Sequence, residues 1–248
     1  MEYISEPTEF RIYIWGRGTS STSNTLAAVD KVTLHGSSYV APVAYWALDD
    51  GSSTTALDSS GNGYDGTIAN AISVAGVDGT ALDFNGSSAE ISLPASAFQS
   101  VDQQITLSMW VYGATNQPRN DTIFSAKNAS GNRVLNIHLP WGNSIVYWDA
   151  GWGSGFDRIS KAATATQYKG AWSHWVFVKD ATSGVMSIYH NGSLFHSQSG
   201  FFKSMSGITS AVLGSESGTS FYAGSIDDVI LLDVALTAQE IADLYNSY

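Results

Sequence analysis

Residues 134–149 read VLNIHLPWGNSIVYWD, two alternating runs around Gly142-Asn143. A glycine–asparagine pair between such runs predicts a tight β-hairpin. With the turn centred there, Trp141 lies opposite Ser144, and pairs follow outward as Leu139/Val146, His138/Tyr147, Ile137/Trp148 and Asn136/Asp149. Side chains alternate between faces along a strand, and directly opposed residues share a face. One face is then Leu135, Ile137, Leu139, Val146 and Trp148, suited to a core. The other carries Asn136, His138, Tyr147 and Asp149, whose polar groups call for solvent, partners or a ligand.

The rest of the chain fits a β protein. Its 248 residues are 44% hydrophobic but only 13% charged, with 24 glycines. That balance favours short strands and turns over helices with charged faces. Strand-like runs recur at 10–16, 26–36, 43–50, 80–86, 89–94, 105–112, 121–127, 173–180, 185–192, 193–200, 210–215 and 224–236, most of them separated by Asn-Gly, Ser-Gly or Gly-Asn pairs. One stretch predicts a helix, 238–245, where Thr237-Ala-Gln-Glu240 forms a capping box and Ile241 and Leu244 share a face. The expected fold is an all-β antiparallel sandwich of two sheets with a short C-terminal helix. Residues 1–40 stand apart: FRIYIWG and LAAVDKVTLHG predict a hairpin extension, or the tail of an upstream domain, followed by a linker. Residues 41–248 are expected to form the sandwich.

A formal charge of −11 opposes nucleic-acid binding, which needs a basic surface. There is no cysteine, hence no disulfide and no thiolate metal site. Apolar runs such as VILLDVAL are too short to insert across a membrane as a helix. The opening MEYISEPTEF has no basic segment followed by an apolar one, so no signal peptide is visible.

From Val43 onward, VAYWALDDGSSTTALDSSGNGYDGTI, GTALDFNG, ITLSMWVY, WSHWVFVKD, MSIYHNG and GSIDDVILLDVALTAQEIADLY together resemble the laminin-G-like branch of the concanavalin A-like lectin/glucanase superfamily. The resemblance implies a jelly-roll of two curved sheets, found as an appendage of larger secreted, often bacterial, proteins. It also implies polysaccharide or oligosaccharide binding at the cell surface or outside the cell, and in many members a calcium ion.

Asp58-Ser59-Ser60-Gly61-Asn62-Gly63-Tyr64-Asp65 spaces oxygen-bearing side chains at alternate positions before a glycine turn, as the first half of an EF-hand loop does. Position twelve is Ala69, so the closing carboxylate must come from elsewhere. The resemblance points to Asp227-Asp228, with Asp49 and Asp50 as further candidates. The expected structural calcium ligands are Asp58, Ser60, Asn62, Asp65 and Asp228. Strict alternation sets Asp228 on one side with Ile226, Ile230 and Leu232, and Asp227 on the other with Val229 and Leu231.

Sugars present apolar ring faces and hydroxyl edges, so their sites combine flat aromatics with planar polar groups. The hairpin offers Asn136, His138, Tyr147 and Asp149 on one face, with Trp141 at its tip. Beyond it, AGWGSGFDRISK reads as a glycine-rich loop curling over the sheet with Trp152, Phe156, Asp157, Arg158 and Lys161. Arg158 suits a uronate or sulfated sugar, whose paired oxygens match its fork. Trp46, Trp110, Trp148, Trp172 and Trp175 read as core, and His174, His190 and His196 as structural.

Besides carbohydrate binding, three other functional classes are weighed. A glucanase needs two glutamates flanking the bond on one strand, whereas the six glutamates here are scattered. A polysaccharide lyase would use Asn136 to neutralise a uronate, His138 or Tyr147 as the base and Arg158 on the carboxylate. Asn136-Ile-His138 resembles the Gln-x-His element of jelly-roll alginate lyases, but their arginine-rich strand and Tyr-x-Lys-Ala-Gly element are missing. A protein-adhesion or spacer module is the third class. The favoured expectation is a non-catalytic carbohydrate-binding module with structural calcium.

Overall fold

The computed structural model describes residues 40–51 and 53–248, so the expected N-terminal hairpin lies outside the described residues. Within them run β1 Ala44–Trp46, β2 Thr55–Ala56, β3 Gly66–Ala69, β4 Ile72–Ala75, β5 Thr80–Asn85, β6 Glu90–Leu93, β7 Gln104–Gly113, β8 Phe124–Asn128, β9 Arg133–His138 and β10 Ile145–Gly153. They continue with β11 Gly155–Ala162, β12 Ser173–Asp180, β13 Val185–His190, β14 Ser193–Ser199, β15 Ile208–Leu213 and β16 Ala223–Leu232. The front sheet has the order β11-β10-β9-β8-β15-β6-β3-β2. The back sheet has the order β14-β13-β12-β7-β16-β5-β4, with β1 added on β16. Every strand pair is antiparallel, and sequence neighbours are often separated in space, as a two-sheet jelly roll requires.

The core between the sheets is built by alternation. Ile105, Leu107, Met109 and Val111 of β7 face Leu135, Ile137, Val146 and Trp148 of the front sheet within one buried cluster. Trp46, Trp148 and Trp175 are fully buried there, whereas Trp110 lies on the outer side of β7 beside His174 and Tyr245. The terminal helix α2, Ala238–Tyr245 (after the single-turn α1, Ala165–Tyr168), starts on the expected capping box. The Thr237 hydroxyl accepts from the Glu240 amide, and the Glu240 carboxylate accepts from the Thr237 amide at 2.7 Å. Ile241 then packs against Val176, Val178 and Tyr189 on the outside of the back sheet.

Two local expectations are corrected. Residues 155–162 are not a loop over the sheet: they form β11, the edge strand paired with β10 from Ile145↔Ala162 to Gly153↔Gly155. A tight turn at Gly153–Gly155 sends the chain back into the ladder, where the backbone groups find partners that a loop would lack. In β16, a bulge between Asp227 and Ile230, with Asp228 at φ 48, interrupts the alternation. Ile226 and Val229 both reach the core, and the two acids are lifted out of it together.

Lys179 is fully buried on the inner side of β12 and ties the sheets together. Its ammonium donates to Ala150 O at 2.9 Å, Lys203 O at 2.7 Å and Asp157 Oδ2 at 2.9 Å, using all three protons. Burial lowers its pKa, opposed by Asp157. Burial also raises Asp157, but bonds from Lys179 and Lys203 outweigh this and leave it below the usual carboxylate range. Asp157, expected at a ligand site, is therefore committed to the interior tie. Asp121 is buried too; burial pushes it up to about 7 against the hydrogen bonds from Gln117 and Ala223.

Lys179→Ala should cost about 3 kcal/mol in urea unfolding, the low end for a broken buried pair because Lys203 stays on Asp157. A loss below about 1 kcal/mol would remove the tie from the account. A carboxyl whose folded pKa is raised stabilises the fold at low pH and loses that contribution as pH rises through about 7. Asp227 and Asp228, at about 7 and about 6, act in the same direction. His174, lowered to about 3 by burial, acts oppositely, removing stability as pH falls below 6.5. Thermal melts of Asp121→Asn should therefore decline less than wild type as pH rises from about 4 to about 7, with similar slopes above that.

Candidate functional site

The hairpin register is the one that the sequence predicts from His138↔Tyr147 to Asn136↔Asp149. Leu135, Ile137, Leu139, Val146 and Trp148 are fully buried in the core. The tip closes through Ser144 N–H to Trp141 O at 2.8 Å and Trp141 N–H to Ile145 O at 2.9 Å. On the outer face the polar quartet divides into two layers.

Asn136, His138 and Asp149 form the lower layer, with 0%, 5% and 0% exposure, so the expectation of an open polar quartet is corrected. His138 Nδ1 donates to the Asp121 carbonyl at 2.9 Å, with the Thr122 hydroxyl at 3.2 Å. Because a carbonyl only accepts, Nδ1 carries the proton and Nε2 accepts from the Asn136 amide at 3.0 Å. Burial holds the imidazole below the usual histidine range, keeping it neutral. The Asn136/His138 pair proposed for proton abstraction thus spends its hydrogen-bonding groups on itself and the 121–122 backbone. Asn136 Oδ1 has no partner among the described residues.

The Asp149 carboxylate is the hub of this face. Arg158 donates from Nε at 2.5 Å and Nη2 at 2.7 Å, and Arg133 Nη1 donates at 2.8 Å. Arg133 continues through Nη2 to Glu216 at 3.0 Å. The hydrogen bond to Asp149 raises Arg158 further above its already high range.

The upper layer is aromatic. The Arg158 guanidinium sits over the Tyr147 ring at 4.8 Å and the Phe156 ring at 4.9 Å, while Arg133 lies 5.4 Å from Phe156. Trp141 stands edge-on to His138 at 4.4 Å. Asn143 donates to the Tyr147 hydroxyl at 2.9 Å. Trp141, Tyr147 and Phe156 are half-buried, and the Arg158 side chain is 37% exposed. This layer can offer aromatic edges and faces, a planar cation and hydroxyl or amide donors to a ligand.

Of the expected ligand residues, Asn136, His138, Trp141, Tyr147, Asp149 and Arg158 come together. Asp157 does not, because alternation along β11 turns it opposite to Arg158. Trp152 pairs with Phe156 beyond the Gly151 bulge and packs against the core margin. Arg133 and Glu216 were missed. Arg133 stands three residues before Asn136, but a bulge shifts the β8–β9 register at Lys127, and Glu216 arrives from 83 residues further along. No local pattern marks that pair.

The DSSGNG loop closes on itself. Asp58 accepts from Tyr45 N at 3.0 Å, Ser60 N at 2.9 Å, Ser60 Oγ at 2.9 Å and Tyr64 N at 2.9 Å. Burial raises its pKa, but these bonds outweigh it and lower the carboxyl. Asp65 accepts from Asp58 N, and Asn62 donates to Val43 O. Both Asp58 oxygens are thus engaged in an Asx-type turn, and among the described residues the loop's acids do not form a metal-holding group with Asp228.

The unspent acids lie elsewhere. Asp228 accepts from the Tyr45 hydroxyl through Oδ1, and its buried Oδ2 has no partner among the described residues. Asp227 accepts from Val77 N at 2.7 Å, and Asp49 from Thr80 N at 2.6 Å. Burial, then neighbouring acids including Asp49, raises both Asp227 and Asp228, with Asp78 adding to the latter. The 76–80 turn lies close upon them: a Cβ at Gly79 would stand 2.3 Å from Asp49 Oδ1. Among the described residues, no group of three or more His, Cys, Asp or Glu side chains is arranged to hold a metal ion.

Comparison with known proteins places this geometry in context. The family described as the concanavalin A-like lectin/glucanases superfamily (Laminin_G_3) matches residues 85–242. No match occurs among the curated proteins. Among solved structures, domain 4 of AbnA, an extracellular arabinanase from Geobacillus stearothermophilus in complex with arabinotriose, is 24% identical. The match covers 82% of this chain and 98% of that one, with a TM-score of 0.57. The botulinum neurotoxin serotype G binding domain is 17% identical over 83% of this chain, with a TM-score of 0.65. The binding domain of botulinum neurotoxin DC in complex with SialylT is 13% identical over 81%, with a TM-score of 0.62. The chain spans about half the length of the two toxin domains, 51% and 52%. At these identities the likeness is one of fold. With the family match spanning β6 to α2, the chain belongs to the concanavalin A-like lectin/glucanases superfamily, in its laminin-G-like branch.

Proposed function

We propose that this domain is a non-catalytic carbohydrate-binding module of a larger extracellular or cell-surface protein. The observation that carries the reading is the Tyr147–Arg158–Phe156 stack, a partly exposed aromatic and guanidinium surface held rigid by a buried carboxylate. Rigid aromatics bind sugar rings at low entropic cost, since little rotamer freedom is left to lose. Arabinotriose on the related arabinanase domain and the SialylT complex of a related toxin domain are consistent with glycan recognition on this fold. The internal satisfaction of His138 favours binding over proton abstraction, because its basic nitrogen faces Asn136.

We propose that the module also takes a structural calcium ion beside the 76–80 turn, with Asp228 as its side-chain anchor and with backbone oxygens and water, not a cluster of acids, supplying most of its ligands. The orphaned Asp228 Oδ2 fits such an ion, and so does its crowding by Asp49, Asp78 and Asp227. Carbonyl oxygens and water would complete the six to eight ligands calcium requires. When bound, the ion would offset the charge of these acids and fasten the turn to β16.

Glycan-array and calorimetric binding test the first reading. Tyr147→Ala should weaken glycan binding at least about tenfold with little change in melting temperature. His138→Ala should instead destabilise the fold by about 1–3 kcal/mol, having removed a buried bonded group. Unchanged glycan affinity in Tyr147→Ala would overturn this site. For calcium, EDTA should lower the melting temperature and added calcium should restore it, while Asp228→Asn abolishes the response and Asp58→Asn keeps it. No response of the wild type to chelation or calcium would end the calcium assignment.

A further inference from the structure

The glycan class can be read from the charges of the same surface, an inference that rests on the binding reading above. An isolated exposed arginine attracts uronates and sulfated sugars. Here the two arginines are already committed. Arg158 spends Nε and one Nη2 proton on Asp149, and Arg133 divides Nη1 and Nη2 between Asp149 and Glu216. Two guanidinium charges therefore meet two carboxylates. Lys127 stands 3.9 Å beyond Glu216 on β8, two strands away from Tyr147.

An incoming carboxylate would meet guanidinium charge that is already balanced, and to gain a full ion pair it would have to replace Asp149, which is fully buried and bonded to both cations. Left unpaired there, Asp149 would carry the desolvation cost of a buried charge. The wider field adds to this, since the chain carries a formal charge of −11. What the surface still offers is neutral chemistry. Tyr147 and Phe156 present ring surface, and Arg158 Nη1 keeps donors that Asp149 does not use. The Tyr147 hydroxyl accepts from Asn143 and retains its own proton to donate. Such donors match the hydroxyl oxygens of a sugar edge.

We infer that this surface takes an uncharged oligosaccharide, stacked on Tyr147 and Phe156, and discriminates against uronate and sulfated glycans because Asp149 and Glu216 hold both arginines.

Calorimetry on the full chain tests this with neutral arabino-, xylo-, cello- and manno-oligosaccharides against oligogalacturonate and oligoalginate, at low and high salt. Wild type should bind a neutral series with affinity little changed by salt, and Tyr147→Ala and Phe156→Ala should each weaken it. Glu216→Gln, which keeps an acceptor for Arg133 but removes one of the two compensating negative charges, should raise uronate affinity about two- to fivefold at low salt, as for one partly exposed ion pair. The neutral series should stay unchanged in that variant. Salt-sensitive preference for uronates that is lost in Tyr147→Ala would overturn the neutral class while keeping the site. An unaltered uronate affinity in Glu216→Gln would refute the charge argument. Binding that ignores both aromatic substitutions, or no binding of either class, would overturn the site itself.

Discussion

Asp149 shows how one buried carboxylate can organise a surface. It sits on a strand whose next residue inward, Trp148, is fully inside the sandwich, so alternation alone puts the carboxylate on the outer face. A buried carboxylate must be paired. Arg133 on β9 and Arg158 on β11, the strands on either side of β10, supply that pairing. With their polar ends anchored, the arginines lie flat against Phe156 and Tyr147, and the accessible surface inherits its shape from a residue no ligand can touch. His138 performs the equivalent service for Trp141, fixed beneath it by the Asp121 carbonyl and the Asn136 amide.

The same economy appears inside the sandwich. Lys179 crosses from the back sheet to three acceptors near the front-sheet edge, including the carbonyl of Ala150 beside the Gly151 bulge. That tie holds β11 in the ladder and orients Arg158 on its outer side, since Asp157 must point inward to meet the lysine. Interior electrostatics and surface recognition are thus coupled through two adjacent residues. The acids around the 76–80 turn are the contrasting case. There, among the described residues, Asp227 and Asp228 have backbone and phenol donors but no cationic side chain on them, and one buried oxygen stays unpaired.

The hairpin was readable because its information is local. A glycine–asparagine turn, period-two alternation and a run of core aliphatics specify the register of β9 on β10, and the capping box specifies α2 in the same way. β11 was not readable. Glycine-rich residues at 151–155 look like a loop, and only the open edge of β10 makes them a turn into another strand. The bulge in β16 was equally hidden, because period-two reasoning assumes an unbroken ladder and Asp228 breaks it with a left-handed backbone. In the DSSGNG loop, Asp58 oxygens of the kind that suit an ion accept instead from nearby N–H groups, an arrangement that the spacing of the motif does not reveal.

What the sequence by itself determined is the alternation: which side of each main strand meets the core, and hence the two-sheet sandwich and the residues of the hairpin's outer face. Which of those residues reach solvent was decided only in three dimensions. Asn136, His138 and Asp149 are covered by partners from the 121–122 segment and by Arg133 and Arg158, and Arg133 is itself held by Glu216, 83 residues further along the chain. Period-two patterning orients a side chain, but it carries no information about the segment that folds over it.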